Sequence, residues 1–194
     1  MLTRLAGSLA EAGVEILQYR NKTGDESQVL RDTEAIRAAA PPSLTLILND
    51  YAQLVRQTGF HGLHLGQTDL SPHEARGLLG SDKIIGLSTH NEDQLRAAAL
   101  EPVDYIAVGP VFPTASKANP DPVVGLEGIR LARSLTTQPV VAIGGINLQN
   151  ARGVWSAGAD SIAVISAIFS PGVDPAKSAS AFLLAFKELS TGLH

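Results

Sequence analysis

Seven short apolar runs in this chain each give way to residues that can do chemistry. Gln18, Arg20 and Lys22 close the first run. Asn49 and Asp50 close the second, and Gly66, Gln67 and Asp69 the third. Ser88 ends the fourth run. Gly109 ends the fifth and opens a loop that reaches Lys117. Gly144-Gly145 and Ser166 end the last two. Asp50 and Asp69 end neighbouring runs, so their carboxylates can converge. Two carboxylates with no neighbouring Cys or His ligand suit Mg²⁺, which keeps waters and takes phosphate oxygens. A helix N-cap ahead of Tyr51 is the plainer role for Asp50. Arg20, Lys22 and Lys117 add positive charge, Arg as a bidentate fork and Lys as a point charge. Glycine at 144 and 145 lets backbone N–H groups approach a phosphate, or makes a tight turn. Ser88 is placed equally well to bond a ligand or to cap a helix.

The elements that must hold these groups follow from the pattern between them. The runs are 15–20, 44–49, 62–66, 83–88, 105–109, 140–144 and 161–166. Each is nearly continuous in apolar character, as strands covered on both faces are. Helical patterns lie between them. Ser71-Pro72-His73-Glu74 reads as a capping box with Pro in the first turn. Residues 126–135 and 148–155 have apolar residues at helical spacing. Strand–helix alternation implies parallel pairing with right-handed crossovers.

Two architectures fit, an open doubly wound sheet and a barrel. No Gly-x-Gly-x-x-Gly follows the first run and no P-loop is present, which disfavours the nucleotide-binding open sheet. A (β/α)8 TIM barrel collects its active site at the C-terminal strand ends, where the polar residues fall here. A closed barrel has eight strands and seven are counted. The chain opens on a helix with Leu2, Leu5 and Leu9 on one face, so the expected α/β barrel lacks its first strand, which would precede Met1. An open seam exposes two strand edges, and pairing with another copy, a homo-oligomer, is one way to cover them.

Composition sets the class. The chain has 194 residues, 44% hydrophobic and 18% charged, ordinary for one globular domain spanning 1–194. A net charge of −4 argues against a nucleic-acid partner. With no cysteine, a disulfide scaffold, a thiolate metal site and a cysteine nucleophile are excluded. No run is long enough for a membrane span and the first residues carry no signal-peptide core, so a cytoplasmic setting is expected. The five histidines show no ligand or triad spacing, and Trp155 reads as helix packing. The stretch 110–124, with four prolines, is long for a structureless connection and reads as functional.

Taken together, QYRNK (18–22), ND (49–50), GLHLGQTD (62–69), GLSTH (86–90), YIAVGPVFPTASK (105–117), VVAIGGI (140–146) and GADSIAVISAIF (158–169) resemble the thiamine-phosphate synthase family over nearly the whole chain. The resemblance implies the (β/α)8 barrel, Mg²⁺, and the joining of a pyrimidine-methyl diphosphate to a thiazole phosphate with release of diphosphate. By the same resemblance, Gln18, Tyr19, Arg20, Asn21, Lys22, Asn49, Ser88 and Lys117 bind the pyrimidine diphosphate. Asp50 and Asp69 hold the metal. Thr114, Ala115, Ser116, Gly145, Ile165 and Ser166 hold the thiazole phosphate. Arg20, Ser88 and Lys117 are the groups assigned to catalysis. Asn21 departs from the family's Glu, and Ala115-Ser116 from its Pro-Thr. Two other readings share the fold: a thiazole tautomerase relative, which carries a His near Gly109-Pro110 and lacks the acid at Asp69, and a non-catalytic protein that binds phosphorylated ligands.

Overall fold

The computed structural model describes residues 2–22, 24–114 and 121–192. In chain order the elements are α1 (Leu2–Glu11), β1 (Ile16–Tyr19), α2 (Glu26–Ala39), β2 (Thr45–Asn49), α3 (Val55–Thr58), β3 (Gly62–Leu65), α4 (Pro72–Leu79), β4 (Ile84–Thr89) and α5 (Glu92–Ala98). They continue with β5 (Tyr105–Val108), α6 (Gly125–Leu135), β6 (Val140–Ile143), α7 (Ala151–Ser156), β7 (Ser161–Ala163), α8 (Ser166–Phe169) and α9 (Pro175–Ser190). A single 3₁₀ turn, Ala52–Leu54, leads into α3. The seven strands follow chain order, β1 to β7. They coincide with the seven runs read from sequence, to within a residue or two except at β7. The chain divides into two compact units, Met1–Gly86 and Leu87–His194.

In the first unit, β1 pairs in parallel with β2 and β2 with β3, in registers that set Gln18 opposite Ile47 and Asn49 opposite His64. Leu46, Ile47, Leu48, Leu63, Leu65 and Phe60 are almost wholly buried and form the core. Asp25 accepts from the N–H groups of Ser27 and Gln28 and starts α2. Ser71 and Glu74 form the expected reciprocal capping box, with Pro72 in the first turn of α4.

In the second unit, β5 pairs in parallel with β6 and β6 with β7. Ile106, Val108, Val111, Ile129, Val140 and Ala142 fill the core. Asn91 caps α5, and Asp174 with Pro175 starts α9. Trp155 packs at 5.1 Å on Phe186, the helix-packing role expected of it.

Two expectations need correction. Continuous burial holds for β2 and β3 but fails at the first and last strands. β1 alternates exposed and half-buried residues, with Ile16 58% exposed, and β7 has the pattern exposed, half-buried, exposed. The second is the length of the last run: β7 stops at Ala163 and Ser166 is the first residue of α8.

Close strand contact makes Gly62 obligatory. A Cβ at Gly62 would lie 2.3 Å from the Ile84 carbonyl oxygen, a clash with backbone. One at Gly77, inside α4, would meet nothing within 4 Å. Gly62→Ala is therefore expected to destabilise the fold by about 1–3 kcal/mol, the overpacking scale. Gly77→Ala is expected to stabilise it by about 0.5–1 kcal/mol through helix propensity. Urea midpoints of the two variants check both signs.

Candidate active site

Three strand ends meet in the first unit. Gln18 and Tyr19 close β1, with Arg20, Asn21 and Lys22 just beyond. Asn49 closes β2, and Asp50 follows it. Gly66 and Asp69 follow β3. Parallel registry sets these ends side by side. Lys22 Nζ donates to Asp50 Oδ2 at 2.5 Å. Asp50 is no helix cap: Tyr51 occupies that position and makes no side-chain cap bond. Asp50 has φ 72°, a left-handed backbone uncommon outside glycine, and its N–H donates to the His64 carbonyl at 3.0 Å. Backbone strain of this kind clusters at functional sites.

Asp69 turns back on the strand end, its Oδ2 accepting from the Gly66 N–H at 2.7 Å. A Cβ at Gly66 would lie 3.0 Å from that same oxygen, so glycine leaves the carboxylate its place. No group of three or more His, Asp or Glu able to hold a metal occurs among the described residues. Asp50 and Asp69 are the carboxylates that would hold a cation here, and Asp50 is paired with Lys22. Such a set fits Mg²⁺, a hard cation bound through one or two carboxylates, waters and substrate phosphates.

Tyr19 lies between the strand and α2. Its hydroxyl donates to Asp32 at 2.6 Å and accepts from Asn21 Nδ2 at 3.2 Å. Burial, and then the bond to Asp32, push its phenol up to about 12. Asn21, where the family pattern has Glu, thus serves the tyrosine hydroxyl. His64 is a residue that sequence reading passed over. It stands opposite Asn49 in the parallel ladder and is only 7% exposed, so it shares the buried face that Asn49 presents. Strand parity was the signal: His64 alternates with Leu63 and Leu65.

The second unit holds Ser88, Thr114, Gly145, Ile165 and Ser166. Ser88 lies inside β4 and is buried; Asn91 performs the capping that was its alternative role. The connection after β5 runs along the end of β6. Val111 N–H donates to the Ile143 carbonyl at 2.9 Å and Phe112 N–H to the Gly144 carbonyl at 3.1 Å. Gly144 and Gly145 have φ 86° and 68°. A Cβ on Gly144 would meet Pro110 at 2.5 Å, and one on Gly145 the Pro113 carbonyl oxygen at 2.5 Å. The glycines thus make a turn, and the backbone they admit is the chain's own, residues 110–113. Asn150 Nδ2 secures the turn on the Gly145 carbonyl at 3.1 Å. Ile165 is exposed at the N-cap of α8, and Ser166 begins that helix. Ala115, Ser116 and Lys117 lie outside the described residues.

The family model for thiamine monophosphate synthase matches residues 1–168. The chain belongs to that family. A thiamine-phosphate synthase of Koribacter versatilis is 51% identical over 182 residues, 94% of this chain and 85% of that protein. One of Agrobacterium fabrum is 42% identical over 174 residues, 87% of this chain and 79% of the relative. Among solved structures, a thiamine phosphate pyrophosphorylase of Pyrococcus furiosus superposes with a TM-score of 0.86 at 29% identity, covering 96% of this chain and 90% of that one. The α/β, TIM-barrel-type fold expected from the sequence agrees with this likeness. Membership of the thiamine monophosphate synthase family makes the chain a transferase.

Two outcomes follow from this geometry. Gly145→Ala must displace the Phe112–Pro113 backbone that leads to Thr114. A misplacement of about 1 Å can lower turnover on the order of 100-fold, and steady-state rates of that variant check it. The Tyr19 phenol has its folded value raised above the ordinary 10.0. Its contribution to stability is whole below about pH 10 and is lost as pH rises through about 12. Urea midpoints should fall less steeply over that window in Tyr19→Phe than in the parent.

Proposed function

We propose that the chain is a thiamine-phosphate synthase that condenses hydroxymethylpyrimidine diphosphate with hydroxyethylthiazole phosphate, releasing diphosphate. The observation that carries this reading is the meeting of Gln18, Arg20, Lys22, Asn49, Asp50 and Asp69 at three adjacent strand ends. A diphosphate needs cations, hydrogen-bond donors and a metal site together, and this set supplies each kind. In the reaction the bond from the pyrimidine methylene carbon to the diphosphate oxygen breaks, and the electron pair leaves with diphosphate. The thiazole ring nitrogen then gives its lone pair to that carbon.

Arg20 and Lys22 would take the charge that develops on the leaving oxygens. Asn49 and Gln18 would donate to the diphosphate or the pyrimidine. No nucleophile or general base from the protein is required, which suits a site whose work is electrostatic. Mg²⁺ held by Asp50 and Asp69 would neutralise further charge on the leaving group. Lys22 pairs with Asp50 at 2.5 Å and would turn to the phosphates when the substrate binds. Gly145, Ile165 and Ser166, with Thr114, Ala115 and Ser116, would hold the thiazole phosphate, and Lys117 and Ser88 the diphosphate. The substrates are small phosphorylated molecules. A cytoplasmic setting is part of this proposal; separately, among the described residues no helix is long and apolar enough to cross a membrane.

The tautomerase reading is disfavoured by Gly109-Pro110 and by Asp69, which stands ordered against Gly66. Asp50→Ala and Asp69→Ala are each expected to lower thiamine phosphate formation by about 100-fold or more, the scale of losing a preorganised electrostatic group. EDTA should abolish turnover and Mg²⁺ restore it. Unchanged turnover in EDTA would contradict the metal assignment. Thiamine phosphate absent under all conditions would contradict the function.

A further inference from the structure

His90 lies two residues past Ser88, just beyond the end of β4, and its side chain is 14% exposed. It makes two contacts that the proposed chemistry does not use. Nδ1 lies 2.5 Å from the Gly109 carbonyl oxygen. A carbonyl only accepts, so Nδ1 carries the proton and donates. Nε2 lies 3.5 Å from Asp121 Oδ2, an ion pair when the ring carries a proton on both nitrogens. Gly109 is where the connection from β5 to α6 departs, and Asp121 is on its returning limb. The departing limb is laid on the Gly144–Gly145 turn, and the return is closed by Val124 N–H donating to the Pro110 carbonyl at 2.9 Å. The ring is itself set in place: the His90 N–H donates to Gln94 Oε1 at 2.7 Å, and the Gly109 N–H to the Thr89 carbonyl at 3.1 Å. One imidazole thus touches both ends of the connection that bears Thr114.

We propose that His90, together with Asp121, is a positioning residue for the reaction, fixing both ends of the β5–α6 connection against the strand end that carries Ser88. Its effect reaches substrate through Thr114 and Ser88; His90 itself touches neither reactant. The proposal rests on the synthase reading for its kinetic test and on geometry alone for its second test.

Four variants test it: His90→Asn, Asp121→Asn, the double variant, and Asp121→Glu. Each asparagine variant is expected to lower kcat/KM about tenfold, while the thermal midpoint falls by no more than about 4 °C, a small change for a chain of this size. Because the two residues act as a unit, the double variant should lose about tenfold and not the roughly 100-fold product. Asp121→Glu, which keeps the carboxylate, should recover to within about threefold of the parent. Amide hydrogen exchange over 110–124 should quicken in both single variants, and this is read without substrates. If the parent makes no thiamine phosphate, the function is wrong, and the exchange result alone still decides for or against the tether. Additive losses in the double variant, or unchanged exchange in the single variants, would overturn the proposal.

Discussion

The second unit depends on one close approach. No side-chain carbon fits between the Gly144–Gly145 turn and residues 110–113, because a Cβ at Gly144 would lie 2.7 Å from the Pro110 Cα and one at Gly145 2.5 Å from the Pro113 carbonyl oxygen. The contact lets Val111 and Phe112 donate to the carbonyls of Ile143 and Gly144. It also fixes where Thr114 departs. Gly109 obeys the same constraint, since its Cβ would fall on the Ile143 carbonyl. Three glycines with different sequence neighbours thus serve one packing problem. The strand ends and the connection above them form one hydrogen-bonded assembly, and His90 and Asn150 brace it from the side.

The first unit solves a different problem, the gathering of charge at the ends of strands that are mostly apolar. A left-handed backbone at Asp50 and a glycine at 66 aim the two carboxylates. Lys22 pairs with one of them, so the site holds compensated charge and not bare repulsion. Under the proposed function, Lys22 would turn from Asp50 to the phosphates as diphosphate arrives.

Much of the fold was legible because buried parallel strands are written as short apolar runs. The runs at 44–49, 62–66 and 105–109 are found as strands nearly to the residue. Ser71 and Glu74 announced α4 through local hydrogen bonds that need no tertiary partner. The end of β7 was not legible, since Val164 and Ile165 are as apolar inside a strand as in a turn before a short helix. The exposure of β1 was hidden for the same reason: Ile16 has the composition of a core residue but not the environment. The candidate residues at strand ends were picked out by position. Strand parity puts His64 on a face of its own strand, but its place opposite Asn49 depends on register with β2, a long-range fact. The glycine pair was read as a turn or a phosphate cradle; it is a turn that seats the chain's own backbone, and its proposed role toward phosphate rests on the N–H groups around it.

The proposed function puts the diphosphate at the end of the first three strands and the thiazole phosphate at the Gly145 and Ser166 backbone. The most direct measurement is a crystal structure of the chain with Mg²⁺, thiamine phosphate and diphosphate. The expected result is diphosphate held by Arg20, Lys22 and Asn49 with the cation on Asp50 and Asp69, and the phosphate of thiamine phosphate against Gly145 and Ser166. Diphosphate bound away from Arg20 and Asp50, or a cation that leaves the Lys22–Asp50 pair intact, would contradict it.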